Sequence, residues 1–136
     1  MIVHDSVPTF ALPAEYENDY QLLDKPLPVQ CVLHQNGLVF RISWQCRDKF
    51  LPMSFLVNTS VPAPFYFTDR SYGVLKQHGL LHSDDDGNDF VLLNQTKGMA
   101  YRPSPYPVDM VGLRFLTKAG MTLHSEGFYL KTPDYF

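Results

Sequence analysis

Few residues in this chain stand in an order that performs chemistry. Asn58-Thr59-Ser60 and Asn94-Gln95-Thr96 are both acceptor tripeptides for N-linked glycans. Such tripeptides are common by chance, and residues 1–10 show neither the basic nor the apolar stretch of a secretory leader. The run Asp84-Asp85-Asp86-Gly87-Asn88-Asp89 invites a calcium loop. An EF-hand register starting at Asp84 places Asp89 where glycine must make the turn and Gln95 where a bidentate glutamate must close the shell. A solvated turn is the expectation. Of the five histidines only His78 and His82 have ligand spacing, and Gly79 should end any helix between them. No third ligand lies nearby, so no metal is expected. The chain has no G-x-S-x-G elbow and no glycine-rich phosphate loop, and no cofactor is expected either.

The elements that would position these residues are mostly strands. Residues 29–34 and 38–44 flank Asn36-Gly37, the pair best suited to the positive φ angles of a two-residue hairpin turn. Pairing Gln35 with Leu38 gathers Val29, Cys31, Leu33, Leu38, Phe40, Ile42, Trp44 and Cys46 on one face. Gln30, His34, Arg41, Ser43 and Gln45 fall on the other, with Val32 and Val39 as exceptions. Cys31 then sits opposite Ile42, about 13 Å along the strand from Cys46, and a disulfide needs Cα atoms within about 7 Å. Two separate reduced thiols are expected. A third strand spans 50–57 and a short one 65–67. Thr68 or Asp69 caps a helix over 70–78, which Gly79 ends. Strands at 89–94 and 98–101 follow. Asp109 is expected to cap a second helix over 112–119, and a hairpin of 121–124 with 128–131 closes the series. Residues 1–28, with Pro8, Pro13, Pro26 and Pro28, read as an extended arm, and Phe10, Tyr16 and Tyr20 are its candidate anchors to its own domain or to a partner. Residues 29–136 form the domain.

Two segments gain meaning together. An apolar strand, Phe55-Leu56-Val57, runs into Asn58-Thr59-Ser60, and a later Met110-Val111-Gly112 opens a helix. This order resembles the retropepsin-like aspartic proteases, in which a strand delivers an Asp-Thr-Gly or Asp-Ser-Gly loop and an apolar-apolar-Gly motif packs beside it. The resemblance covers roughly residues 29–132 and implies a mainly β fold, a small closed β-barrel with one or two short helices. Its catalytic aspartate would fall at Asn58 and its glycine at Ser60. The family's chemistry needs two carboxyl groups, one from each half of a dimer, sharing a proton, and an amide does not exchange that proton. The only segment placed to act as the family's flap, around Asn94-Gln95-Thr96-Lys97, is short. The resemblance therefore implies a pseudoenzyme with a degenerate loop at Asn58, Thr59 and Ser60 and a supporting motif at Met110, Val111 and Gly112.

Composition narrows the partners. With 45% hydrophobic and 14% aromatic residues the chain can fill a core, and a net charge of -3 without a basic stripe argues against nucleic acid. No apolar run approaches the ~20 residues of a membrane helix. The expectation is a non-catalytic structural or interaction subunit of a larger assembly, in a reducing intracellular compartment. Its partners would be proteins, in a large complex or a homodimer. A peptide-binding module or a residual aspartic endopeptidase is the alternative, and for the latter only Asp48 and Asp69 lie near Asn58 as substitute acids.

Overall fold

Apolar alternation along residues 37–57 builds the centre of the molecule. β1 (Gln30–His34), β2 (Gly37–Cys46) and β3 (Lys49–Val57) form an antiparallel meander. β2 buries Phe40, Ile42 and Trp44, while β3 buries Leu51, Met53 and Phe55. The structure is a computed structural model, and it describes residues 12, 14–27, 30–34, 37–93, 97–119, 121–124 and 127–130. After β3 come β4 (Phe65–Phe67), helix α1 (Asp69–Gln77) and β5 (Leu81–Ser83). β6 (Asp89–Leu93), β7 (Lys97–Pro103) and β8 (Met110–Val111) follow, then α2 (Leu113–Ala119), β9 (Met121–His124) and β10 (Gly127–Leu130).

The protein is mainly β with two short helices. Among the described residues eight strands share one mixed sheet in the order β1-β2-β3-β8-β4-β7-β6-β5, and β9 pairs with β10 alone. The closed barrel expected from sequence is not formed: β1 and β5 are the ends of an open order. Closure requires the outermost strands to share a ladder, and β5, three residues long with His82 and Ser83 exposed, pairs with β6 alone among the described strands. β8 is only two residues long, yet it lies between β3, to which it is parallel, and β4, to which it is antiparallel.

The first hairpin departs from expectation in register. His34 pairs with Gly37 and Cys31 with Phe40, two residues from the pairing that Asn36-Gly37 suggests. A shift of two leaves each residue on its own face, so the alternation that identifies the hairpin cannot choose between the registers. The side chain of Cys31 lies outside the described residues, and Cys46 is a buried free thiol.

The core is an aromatic cluster. The Trp44 ring lies 5.2 Å from Phe65 and 6.2 Å from Phe67, and Phe65 lies 5.0 Å from Phe115 of α2. Trp44 is fully buried, and its indole N–H has no acceptor among the described residues. Trp44→Phe is therefore expected to lose volume but no hydrogen bond, a destabilisation of about 1–2 kcal/mol, against about 3–5 kcal/mol for Trp44→Ala. Urea denaturation of the two variants measures the difference.

The opposite face of β2 and β3 is covered by residues 14–27. The Arg41 guanidinium lies 4.3 Å over the ring of Tyr16 in the 3₁₀ turn Ala14–Tyr16. Leu23 and Phe50 exchange both backbone bonds, at 2.7 and 2.8 Å, and the Leu27 amide donates to Ser43 Oγ. Lys49 pairs with Asp24 at the exposed rim. Tyr16, under Arg41, and Tyr20, beside Arg70, pack against the chain's own domain, and Leu27 and Asn18 bond the buried Ser43 and Ser54. Among the described residues no helix is long and apolar enough to cross a membrane.

Candidate functional site

β3 carries Leu56 and Val57 directly into the Asn58 loop, and β8 fixes that loop from one side. Leu56 N donates to Asp109 O at 2.8 Å and Asn58 N to Val111 O at 3.0 Å. The six residues singled out in sequence, Asn58, Thr59, Ser60, Met110, Val111 and Gly112, are therefore neighbours in space. The loop is shaped by the side chain of Asn58, whose Oδ1 accepts the Ser60 amide at 3.0 Å, an Asx turn. Its Nδ2 lies 3.6 Å from Met110 Sδ. Thr59 and Ser60 are exposed.

Beyond Asn58 the chain folds over the start of α2. The first amides of a helix have no partner within it, and here loop carbonyls accept them. Gly112 N donates to Pro64 O, Leu113 N to Val61 O and Arg114 N to Pro62 O, at 2.9–3.3 Å. Asp109 is not the cap of this helix that sequence suggested. Backbone carbonyls already occupy that place, and its carboxylate turns to α1 instead.

There it forms the most buried polar cluster of the described residues. Asp109 Oδ1 accepts the Thr68 amide at 2.7 Å, and Oδ2 accepts Ser71 Oγ–H at 2.5 Å and Asn18 Nδ2 at 3.0 Å. Thr68 is the N-cap of α1, its hydroxyl accepting the Ser71 amide. Tyr20 adds its hydroxyl to Ser71 Oγ at 2.6 Å, although its backbone sits at φ 58°, a region that β-carbon sterics disfavour. Asn18 also clasps Ser54 of β3, accepting its amide at 2.7 Å and donating to its carbonyl at 3.1 Å. One side chain thus completes the ladder of β3 where β8 has not yet begun. Burial pushes the Asp109 carboxyl above the usual carboxylate range, with the hydrogen bonds from Ser71, Thr68 and Asn18 pulling the other way. Burial also raises the Tyr20 phenol, and the nearby Asp109 adds to it.

This arrangement holds structure together, and Asn18, Tyr20, Thr68 and Asp109 also line a cleft of about 740 Å³. Ser71 is fully buried, and every described partner of Asp109 is a donor that fixes it. Sequence reading missed this cluster because the capped helix lies some forty residues before Asp109 in the chain. The Asn58 loop itself offers two hydroxyls and an amide. Of the substitute acids, Asp69 lies in the first turn of α1 and Asp48 in the turn between β2 and β3.

The other signals resolve into ordinary structure. Asp84 closes its own turn by accepting the amides of Asp86 and Asn88, with Gly87 at φ 81°. Those bonds hold its carboxylate below the usual range. His82 stacks on Phe90, and Gly79, at φ 72°, ends α1 between His78 and His82. No group of three or more ligating side chains occurs among the described residues. Burial raises the Cys46 thiol, the reverse of what a nucleophile needs. Asn94-Gln95-Thr96 lies outside the described residues. Compared with known proteins, the chain matches no family model, no curated protein and no solved structure.

Proposed function

We propose that the chain is a non-catalytic structural or interaction subunit of a larger protein assembly, built on a degenerate aspartic-protease-like domain. The observation that carries this reading is the Asn58 loop held against Met110-Val111-Gly112 by main-chain bonds, with an amide where the chemistry would need a carboxyl. Two chains paired at this loop would bring two asparagines together and no proton to share. The arm does not by itself favour a partner, since its described residues 14–27 pack along the chain's own sheet. A second reading, capture of an extended peptide by strand addition, draws on β1, which among the described strands pairs with β2 alone and carries Leu33 at 73% exposure.

The test is the native size of the endogenous protein, by gradient sedimentation with mass spectrometry of what co-migrates. Stable migration in a large particle is expected. A free monomer or dimer counts against the subunit reading. Specific peptide-bond cleavage by the pure protein, abolished by Asn58→Ala, overturns it.

A further inference from the structure

The sheet and α1 together wall a second cleft, of about 300 Å³, that shares no residue with the Asn58 loop. Its chemistry follows from register. Asp89 of β6 lies next to Tyr101 of β7, because Phe90 pairs with Ala100, and cross-strand partners share a face. β4 runs parallel to β7 with Phe65 opposite Tyr101, which sets Phe67 on that same face, its ring 5.5 Å from Tyr101. Helix α1 contributes Asp69 and Tyr72, three residues apart and so on one side of the helix. The Tyr72 ring lies 6.2 Å from that of Tyr101 at 50°. Phe67 is the buried floor, Tyr101 is half-buried and Tyr72 is 40% exposed.

Two carboxylates edge these rings. Asp89 uses one oxygen to accept Ser83 Oγ–H, leaving the other without a partner among the described residues. Asp69 makes no hydrogen bond or ion pair with a described side chain. Among the residues that line the cleft, two carboxylates stand against one cation, Arg102, and Lys76 Nζ stands 6.0 Å from the centre of the Tyr72 ring, so that ring's face already takes a cation of the chain's own. The Tyr101 phenol is pushed up by burial, then by Asp89 and Tyr72, which is the field expected there. Aromatic faces attract a cation through their quadrupole, and a planar guanidinium can stack on a ring while its fork meets a carboxylate.

We propose that this cleft is a docking pocket for an arginine side chain of a protein partner, with Tyr72 and Tyr101 as its walls and Asp69 and Asp89 as its counter-charges. The pocket stands apart from the reading of the Asn58 loop and survives its failure. The experiment is a ¹H–¹⁵N NMR titration of the full-length chain with Nα-acetyl-arginine amide, against the uncharged Nα-acetyl-citrulline amide. Saturable shifts centred on Tyr72, Asp89 and Tyr101 are expected with arginine and not with citrulline. Asp69→Asn and Asp89→Asn should each weaken binding roughly three- to fivefold. Tyr72→Leu, at an exposed helix position, should weaken it further while leaving the spectrum dispersed. Equal response to citrulline overturns the proposal. So do shifts centred on the 84–89 turn that Tyr72→Leu leaves unchanged, since those would report only a diffuse acidic surface.

Discussion

Gly112→Ala is expected to destabilise the fold by about 4 kcal/mol or more, a large share of the ~5–15 kcal/mol that holds a domain together. A β-carbon at this position would stand 2.1 Å from the carbonyl oxygen of Ala63 and 2.6 Å from that of Val61. Both are backbone atoms, and Val61 O is already committed to the Leu113 amide. Making room would pull the 61–64 loop away from the start of α2 and leave helix amides without acceptors. Urea unfolding measures the loss, and an unchanged midpoint would refute the close approach. Gly73→Ala is the matched control. It lies within α1 with nothing within 4 Å of the added carbon, so better helix propensity should stabilise it by about 0.5–1 kcal/mol.

Asp109→Ala is expected to cost about 3 kcal/mol, because it strands three donors at once: the Thr68 amide, the Ser71 hydroxyl and the Asn18 amide. The loss should be felt at a distance. Asn18 would no longer be held between Asp109 and Ser54, so faster amide exchange is expected at Ser54, Leu23 and Phe50. The pH response separates the carboxyl from a mere acceptor. Its folded value is raised by burial, so the folded state binds the proton more tightly than the unfolded one. Its contribution is therefore fully present below the unfolded carboxylate value, about 3.9, and is lost as pH rises through the folded value. The neutral form can donate to Ser71 Oγ, which then donates to Tyr20, reversing the chain of bonds. Asp109→Asn should flatten this part of the stability–pH profile. A slope identical to that of the wild type would mean that the carboxyl is not perturbed.

What could be read from the sequence, and what could not, divides along the range of the interactions. The strands at β2, β3 and β4 and the helix between Thr68 and Gly79 follow from alternation, a cap and a left-handed glycine, all contained within a few residues. The hairpin register failed because both candidate pairings bury the same set. β8 was unreadable as a strand: two residues carry no period, and Met110 and Val111 are strands only because β3 and β4 leave a slot between them. The same holds for Asp109 and Asn18, whose partners are 36, 38, 41 and 91 residues away in sequence. Of the candidate site, residue types and their adjacency could be anticipated from the two motifs. The Asx turn at Asn58 and the carbonyl cradle around Gly112 depend on three-dimensional closeness and could not.

The place of β8 also dictates an order of events during synthesis. β3 and β4 are made one after the other, yet they do not pair with each other, because the strand that joins them is made only when the ribosome reaches Met110. Until then Leu56-Val57 and Phe65-Tyr66 face an empty position, and Asn18, made long before Asp109, lacks that partner. Long-range closure of this kind slows folding and leaves strand edges open to wrong partners. A nascent chain halted before Met110 should therefore stay protease-sensitive along most of its length, and protection should arrive late and nearly all at once.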